Sequence, residues 1–332
     1  MIDVVGLSKR YDTVQAVDRV SFRVDRGEIV GFLGPNGAGK TTTMRMLTTF
    51  LTPTSGRATL AGFDVLDDPL EVRRHVGYLP EGVPLYPEMR VREYLNFRSQ
   101  IKDVPRAKRR SAIDRVLERC RLLDVDRRVL GHLSKGYRQR VGLAEAMVHD
   151  PDILILDEPT SGLDPIQIRE VRGLIRELGD QHTILLSTHI MSEVEAVCGR
   201  VVMVVNGRIA LDQPLDRLQS QNVILVEARG PSQAIRHMLQ GVPGVLGVEA
   251  APLDSDWTRF EATVAPDGDL RESLASRIIA AGYGLRRLDL ARSSLEDRFV
   301  RAVQEASMQR HLEPGDSASL PFEPSNDAVG AA

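Results

Sequence analysis

A glycine-rich loop between a predicted strand and a predicted helix restricts the fold of this chain more than any other feature. Residues 34–41 read Gly-Pro-Asn-Gly-Ala-Gly-Lys-Thr, after an apolar run that ends at Leu33. The three glycines let the backbone curl so that successive N–H groups face a phosphate, and the following helix adds its positive end. Lys40 can reach the β- and γ-phosphates, and the Thr41 hydroxyl can ligate Mg²⁺. This spacing predicts nucleotide binding within an α/β fold.

Length and composition exclude several classes of protein. A chain of 332 residues with 42% hydrophobic residues can bury a large core and suggests about two domains. The longest apolar runs, such as Ile153–Leu156 and Val201–Val205, are of strand length and too short to span a bilayer. The net charge of −3 argues against a protein built to coat nucleic acid. Cys120 and Cys198 lack metal-site spacing, so we expect them to be packing groups.

Alternating strands and helices indicate a parallel sheet covered on both faces. The residues from Ile2 to about Arg26 alternate in the way that is typical of half-exposed strands. Residues 91–123 are predicted to be helical, with Pro105 separating two helices. The remaining strands are predicted at Ala58–Leu60, Val76–Leu79, Ile153–Leu156 and Thr183–Leu186, and the remaining helices near Tyr137–Val148 and Ile166–Leu178.

The C-terminal third has a different pattern. Asn206-Gly207 suits a tight hairpin turn that closes the first domain, because both residues tolerate positive φ. The elements that follow have the order β-α-β-β-α-β, which is that of a small ferredoxin-like α+β unit. They are predicted at Val223–Ala228, Gln233–Leu239, Leu246–Ala250, Arg259–Val264, Leu270–Ala281 and Leu285–Leu290. We expect an ATP-binding domain over 1–218, an accessory domain over 219–305 with a last helix near Ser294–Val303, and a disordered tail over 306–332.

Two carboxylates end the most apolar strand. Asp157 and Glu158 follow Ile153–Leu156, so they would lie at the carboxyl edge of the sheet, where ligands bind in folds of this kind. Asp157 suits the coordination shell of Mg²⁺, and Glu158 suits a general base or an orienting group for water. The alternative interpretation is that both acids cap the turn that begins at Pro159.

Ser134 opens a predicted helix, and a serine in that position is commonly an N-cap. The same geometry favours a phosphate contact, because a capped helix N-terminus with Ser134 and Gly136 offers hydroxyl and N–H donors. Both interpretations can hold together.

Five motifs in one order make the chain resemble the ATP-binding subunit of an ATP-binding cassette (ABC) transporter over residues 2–212. They are the loop 34–42, Leu133-Ser134-Lys135-Gly136-Tyr137, Leu156-Asp157-Glu158-Pro159-Thr160, Ser161-Gly162-Leu163-Asp164 and Ser187-Thr188-His189. The resemblance implies a mixed, mainly parallel core sheet, an antiparallel β subdomain and a helical subdomain over about 85–135.

The resemblance also assigns roles by position. Asp157 and Thr41 would bind Mg²⁺, Glu158 would be the catalytic glutamate, and His189 would face the γ-phosphate. Tyr11 lies where the family stacks an aromatic ring on adenine, although a lone tyrosine near a strand end is commonly a packing residue. The ATP-binding positions carried over are Tyr11, Gly34, Pro35, Asn36, Gly37, Ala38, Gly39, Lys40, Thr41, Thr42, Ser134 and Gly136.

Two departures from the family pattern point to one branch. Glu81 stands where most members have a glutamine that touches Mg²⁺ and water, so the site gains a second carboxylate near Glu158. Lys135 and Tyr137 replace the usual glycine and glutamine of the signature. Together with the segments Leu85–Met89 and Ser294–Phe299, these residues resemble bacterial export ATPases of the drug-efflux and gliding-motility type.

The family mechanism implies two copies that sandwich two Mg-ATP, with Ser134 and Gly136 of one chain completing the site of the other. A polytopic membrane permease would be the second partner, and the chain would lie peripherally on the cytoplasmic face of the inner membrane. We expect no nucleic-acid partner. A soluble ABC-type ATPase without a membrane partner is the alternative, and a regulatory module that never hydrolyses ATP is disfavoured by Glu158 and His189.

A basic segment precedes the signature. Its apolar residues suggest a helix with one buried side, and a solvated helix face is the simplest interpretation of the rest. Contact with anionic lipid headgroups or a partner is the alternative hypothesis. The basic residues are Arg106, Lys108, Arg109, Arg110, Arg115, Arg119 and Arg121.

Overall fold

The described residues form three β-sheets in a computed structural model of the protein. The structure describes residues 1–219, 222–253, 256–264 and 269–292 together with Phe299. The predicted helix near Ser294–Val303 and the predicted tail over 306–332 therefore lie outside the described residues, apart from Phe299. Within the described part of the chain, no helix is both long and apolar enough to cross a bilayer.

The first two sheets contain ten strands. These are β1 (Ile2–Tyr11), β2 (Val14–Val24), β3 (Ile29–Leu33), β4 (Ser55–Leu60), β5 (Phe63–Asp64), β6 (Val76–Leu79), β7 (Ile153–Asp157), β8 (Thr183–Thr188), β9 (Arg200–Val205) and β10 (Arg208–Pro214).

Eight helices accompany these strands, with a short 3₁₀ turn at Leu130–His132. The helices are α1 (Lys40–Leu47), α2 (Pro69–His75), α3 (Val91–Ile101), α4 (Arg106–Arg119), α5 (Lys135–Met147), α6 (Pro165–Gly179), α7 (Met191–Val197) and α8 (Leu215–Gln219).

The central sheet places the predicted site residues at one edge. Its order is β10-β9-β3-β8-β7-β6, in which all neighbours are parallel except the β9–β10 hairpin. The carboxyl ends of β3, β6, β7 and β8 therefore meet on one side. This confirms the predicted mixed, mainly parallel sheet. In the hairpin, Asn206 and Gly207 have φ of 52° and 78°, as the turn requires.

Two hydrophobic cores cover the two faces of the central sheet. Every residue of β7 is buried, with Ile153 and Ile155 in one core and Leu154 and Leu156 in the other. The antiparallel sheet β2-β1-β4-β5 shares the first core, and the helices α3, α4 and α5 share the second. A strand that is apolar on both faces can lie only between two such layers, so β7 holds its C-terminal acids at a rigid position.

The helical segment is divided as predicted. Pro105 is the N-cap of α4 and separates it from α3, because its ring cannot continue a helix. The sequence did not reveal α2, α7, α8 or the two-residue strand β5. Each is at most seven residues long, so it has too little periodicity to be recognised without its tertiary contacts.

The C-terminal residues form the third sheet, whose order is β12-β13-β11-β14 with all pairs antiparallel. Its own core includes Ile224, Phe260 and Leu274. The predicted β-α-β-β-α-β order is confirmed. Five of the six elements extend beyond their predicted bounds, and the second helix is one residue shorter at each end than predicted. The elements are β11 (Asn222–Arg229), α9 (Ser232–Gln240), β12 (Val245–Pro252), β13 (Trp257–Val264), α10 (Arg271–Ala280) and β14 (Gly284–Arg292).

Candidate functional site

The glycine-rich loop joins β3 to α1 and requires its glycines for two different reasons. Gly37 and Gly39 adopt φ of 78° and 99°, in the left-handed region that favours glycine. A Cβ atom at Gly34 would lie 2.4 Å from the carbonyl oxygen of Val204, and one at Gly39 would lie 2.5 Å from that of Ala16. Asn36 is exposed at the loop tip, between half-buried Pro35 and buried Ala38. The loop backbone therefore has the tight curvature that a phosphate cradle needs.

Lys40 is buried at the start of α1 and connects the loop to the end of β7. Its Nζ donates to the carbonyl oxygens of Gly34 at 2.8 Å and Pro35 at 3.3 Å. The same Nζ lies 3.3 Å from Glu158 Oε1. A buried ammonium group is stable only when charged or polar oxygens surround it, and these three oxygens provide that environment.

Glu158 also contacts the predicted switch histidine. His189 donates from Nδ1 to Glu158 Oε2 at 2.9 Å. The backbone of Glu158 has φ of 49°, an uncommon conformation for a residue with a side chain. Its N–H donates to the carbonyl and hydroxyl oxygens of Ser187, at 3.1 and 3.2 Å, which hold this conformation. Lys40, Glu158 and His189 thus form one cluster, although they are far apart in sequence.

Asp157 is fully buried beside the cluster. Its Oδ1 accepts hydrogen bonds from the hydroxyls of Ser187 and Thr41, the latter at 3.3 Å. Its Oδ2 is buried and has no hydrogen-bond partner within the described structure. Burial raises the pKa of this carboxyl, and the nearby charges of Glu81 and Glu158 raise it further, against the two hydroxyl donors. An unpaired buried carboxylate oxygen suits a cation.

The donor set fits Mg²⁺ bound together with a substrate. Within the described residues, no group of three or more His, Cys, Asp or Glu side chains is placed to hold a metal by itself. Mg²⁺ commonly uses one or two protein oxygens, completed by substrate phosphates and water. The Thr41 hydroxyl and the orphaned Oδ2 of Asp157 are oxygens of that kind, and Glu81 is exposed just beyond the end of β6.

The signature residues lie at the N-terminus of α5. Ser134 is the N-cap, and its Oγ accepts from the Tyr137 N–H at 3.4 Å. Gly136 is buried against Gln167, whose Cδ would lie 2.7 Å from an added Cβ. In the described part of the chain, no hydrogen bond or ion pair connects Ser134 or Gly136 to the loop 34–42. The N-cap interpretation is confirmed, and the phosphate contact stays a prediction.

Tyr11 ends β1 and is 44% exposed, with the ammonium group of Lys9 5.2 Å from its ring centre. Its adenine-stacking role stays a prediction.

Both cysteines are buried, as expected for packing groups, and burial raises each thiol pKa to about 12.

Sequence reasoning missed a buried carboxylate behind the cluster. Glu193 on α7 accepts hydrogen bonds from the hydroxyls of Thr160 and Thr188, the latter at 2.6 Å. A guanidinium nitrogen of Arg172 lies 3.8 Å from Glu193 Oε1. Thr160 follows Glu158 by two residues and Thr188 precedes His189, so Glu193 connects the segments of both predicted site residues. The available signal in the sequence was one threonine in each of the two motifs. Neither threonine indicated that both would donate to the same carboxylate.

A groove opens beside Glu81, between the central sheet and the helical segment. It encloses about 640 Å³, and its rim includes the exposed apolar side chains of Phe50, Leu70 and Ile101. At its base the buried carboxylate of Glu145 pairs with Arg98 at 2.7 Å and with Lys102 at 3.1 Å. Tyr78 also lines the groove, but its hydroxyl is buried, and burial together with the charge of Asp157 raises the pKa of Tyr78 to about 12.

Comparisons with known proteins show which proteins this chain resembles. The profile of the family described as ABC transporter matches residues 17–161. The uncharacterized ABC transporter ATP-binding protein YxlF of Bacillus subtilis strain 168 is 36% identical over 303 residues, which are 91% of this chain and 99% of that protein. The bacitracin transport ATP-binding protein BcrA of Bacillus licheniformis is 33% identical, over 91% of this chain and 97% of its own length.

Among solved structures, an ATP-binding subunit of an ABC transporter is similar, with a TM-score of 0.60 and 33% identity. The match covers 66% of this chain and 92% of that structure.

Proposed function

Because this chain belongs to the ABC transporter family of ATP-binding proteins, we propose that it is the ATP-hydrolysing subunit of a membrane exporter. The cluster of Lys40, Glu158 and His189 at the sheet edge is the observation that carries the proposal. The glutamate has a strained backbone and contacts both the buried lysine and the histidine. Such a cluster contributes little to folding at the edge of a sheet but suits phosphoryl transfer.

ATP would bind with its phosphates in the curled loop. The loop N–H groups and the N-terminus of α1 would hold the β-phosphate, and Lys40 would exchange its contacts with Gly34 and Glu158 for phosphate oxygens. Tyr11 would stack on adenine. Thr41 and Asp157 would hold Mg²⁺, with Glu81 near it, and a bound Mg²⁺ would neutralise charge on the phosphates.

Hydrolysis would depend on Glu158. Once Lys40 moves to the phosphates, the Glu158 carboxylate becomes available to accept a proton from the attacking water or to orient that water. His189 already donates to Glu158, so it can hold this carboxylate and present its other ring nitrogen to the γ-phosphate. Glu193 would position both residues through Thr160 and Thr188.

A second copy of the chain would complete the site. Ser134 and Gly136 offer donors at the N-terminus of α5 but form no hydrogen bond or ion pair with their own phosphate loop in the described structure. In a sandwich of two chains, these donors would reach the γ-phosphate bound by the partner. Closure on ATP and reopening after hydrolysis would then be the motor cycle.

The groove beside Glu81 is the surface that we assign to the membrane partner. Exposed apolar side chains around a cleft commonly mark an interaction site. Movement of a segment docked there would reach Glu81 and, through it, the charges around Asp157. The chain would then lie on the cytoplasmic face of the membrane, and residues 1–218 and 219–305 would be its two domains.

Affinity purification from detergent-solubilised native membranes tests this function. We expect a polytopic membrane protein to copurify with the chain, and we expect ATPase activity of the complex to exceed that of the chain alone. Purification of an active ATPase without any membrane protein would contradict the exporter assignment and favour a soluble ABC-type ATPase. The similarity to BcrA supports the proposal of a transport function, because the name of that protein states bacitracin transport.

A further inference from the structure

We propose that a cleft between α3 and α4 binds the phosphate groups of an anionic ligand. This cleft, the arginine cleft, encloses about 900 Å³ and is lined by Arg92, Arg106, Arg109, Arg110 and Arg127. Guanidinium groups bind phosphate oxygens through paired N–H donors and are the preferred side chains for this purpose. The ligand class is therefore a molecule with one or more phosphates, either a lipid headgroup or a soluble polyphosphate.

Only one of the five arginines is neutralised by the acids of the cleft. Arg92 binds Asp114 at 2.6 Å through one terminal nitrogen and Asp126 at 3.0 Å through Nε. These two aspartates are the carboxylates that line the cleft. No carboxylate in the described structure forms an ion pair with the other four arginines. The cleft therefore keeps an excess of three positive charges, five arginines against two aspartates.

The position of the arginines on α4 is unfavourable without an anion. Arg106, Arg109 and Arg110 stand at helix positions i, i+3 and i+4, where like charges repel each other. They also occupy the first turns of a 14-residue helix whose first turn contains no acidic residue. The positive end of a helix favours anions, so these cations oppose the helix dipole. A bound phosphate would relieve both repulsions.

The opposite wall supplies further donors. Asn96 and Gln100 follow Arg92 along one face of α3, at successive steps of four residues, and both line the cleft. A merely solvated face would mix acids and bases more evenly, as Arg92 and its two aspartates do. A ligand with several phosphate oxygens requires donors on both walls of a cleft and cations without a carboxylate partner, and the arginine cleft has both.

The phosphate chemistry does not depend on hydrolysis at the main site, but the lipid source rests on the proposed function. Only a chain held at a membrane surface would meet headgroups continuously. Clustered Arg and Lys near a membrane contribute strongly to binding of anionic lipids. A soluble polyphosphate needs no membrane, so the two sources can be separated by experiment.

The test compares the full native chain with two triple variants. The cleft variant carries Arg106→Gln, Arg110→Gln and Arg127→Gln, and none of these side chains donates a hydrogen bond within the described structure. The matched control carries Lys108→Gln, Arg121→Gln and Arg128→Gln, which remove three exposed charges from the same region outside the cleft. Sedimentation with phosphatidylcholine vesicles, with and without phosphatidylglycerol, measures lipid binding. Calorimetry with inorganic pyrophosphate measures soluble binding, to which the phosphate loop contributes equally in all three proteins.

We expect the cleft variant to lose affinity on the order of a hundredfold for one probe, while the control keeps most of it. Loss confined to phosphatidylglycerol vesicles identifies the lipid source, and loss confined to pyrophosphate identifies the soluble source. Equal losses in both variants, or no binding of either probe by the native chain, would overturn the proposal. Both variants should retain the parental ATPase rate, so a failure of the proposed function would be visible separately in the native chain.

Discussion

Asp157 and Glu158 are adjacent, yet the structure treats their charges differently. Glu158 has a lysine and a histidine as partners, whereas Asp157 is buried with one oxygen unpaired. An ionised Asp157 therefore lowers the stability of the ligand-free protein, and a cation would restore it. A loss of stability at one position is common at functional centres and fits the proposed Mg²⁺ site.

Asp157→Asn should stabilise the ligand-free protein by about 1–2 kcal/mol near neutral pH, because it removes an unpaired buried charge. Burial raises the folded-state pKa of Asp157 above its ordinary value of 3.8, so the native cost is present above that raised pKa. The cost falls as pH drops through the raised pKa and is absent below 3.8, where both the folded and the unfolded state bind the proton. Urea unfolding across this range measures the difference between the two proteins. A gain that persists at the acid end, or no gain at neutral pH, would count against this account.

Glu193→Gln should lower kcat by roughly tenfold to a hundredfold with little change in the KM for ATP. The amide cannot accept from Thr160 and Thr188 as the two carboxylate oxygens do, so Glu158 and His189 would lose their alignment. Glu195→Gln, at an exposed position on the same helix, is the matched control and should be unaffected. An equal effect of both substitutions, or a change confined to KM, would exclude a positioning role.

Elements with strong local signals were predictable from the sequence. An unbroken apolar run identified β7, Pro105 identified the break between α3 and α4, and Asn206-Gly207 identified the hairpin. The short helix α7 has no comparable signal. Its contribution comes from one buried carboxylate whose partners lie on two other segments, so only the packed structure reveals it.

The loop and the acids were likewise recognised as separate motifs, but their contact was not. The Lys40–Glu158 ion pair depends on the order of strands, because parallel β3 and β7 lie on either side of β8. The arginine cleft shows the same limit. The sequence indicated a basic helix. The donors that face it from α3, and the fact that only Arg92 among the five arginines is neutralised, are visible only in the packed structure.

The assignment of the groove between the sheet and the helical segment to a membrane partner can be tested by substitution. Phe50→Ala combined with Leu70→Ala should weaken copurification of the proposed membrane partner by about tenfold or more, because two exposed apolar side chains are removed from the groove. ATP binding by the isolated chain should not change. Ile279→Ala, an exposed apolar side chain on α10, is the control. Unaltered copurification by the double variant would show that the partner docks elsewhere.

Across the whole chain, one half of the proposed catalytic machinery lies apart from the other. The phosphate loop, the acids and His189 meet at the sheet edge, whereas Ser134 and Gly136 lie at the start of α5 with no hydrogen bond or ion pair to that loop in the described structure. A single chain would thus bind ATP but hydrolyse it poorly. Two chains would complete two sites at once, which makes closure of the dimer the event that ATP drives.

The molar mass of Glu158→Gln, measured by light scattering during gel filtration with ATP and Mg²⁺, tests this claim most directly. The substitution removes the carboxylate that we propose acts on water and keeps the phosphate loop, so we predict a stable particle of twice the nucleotide-free mass. Adding Ser134→Arg to the same protein should abolish the doubling, because the large side chain blocks the N-terminus of α5. A mass that stays that of one chain with ATP, or a doubling that survives Ser134→Arg, would contradict the account.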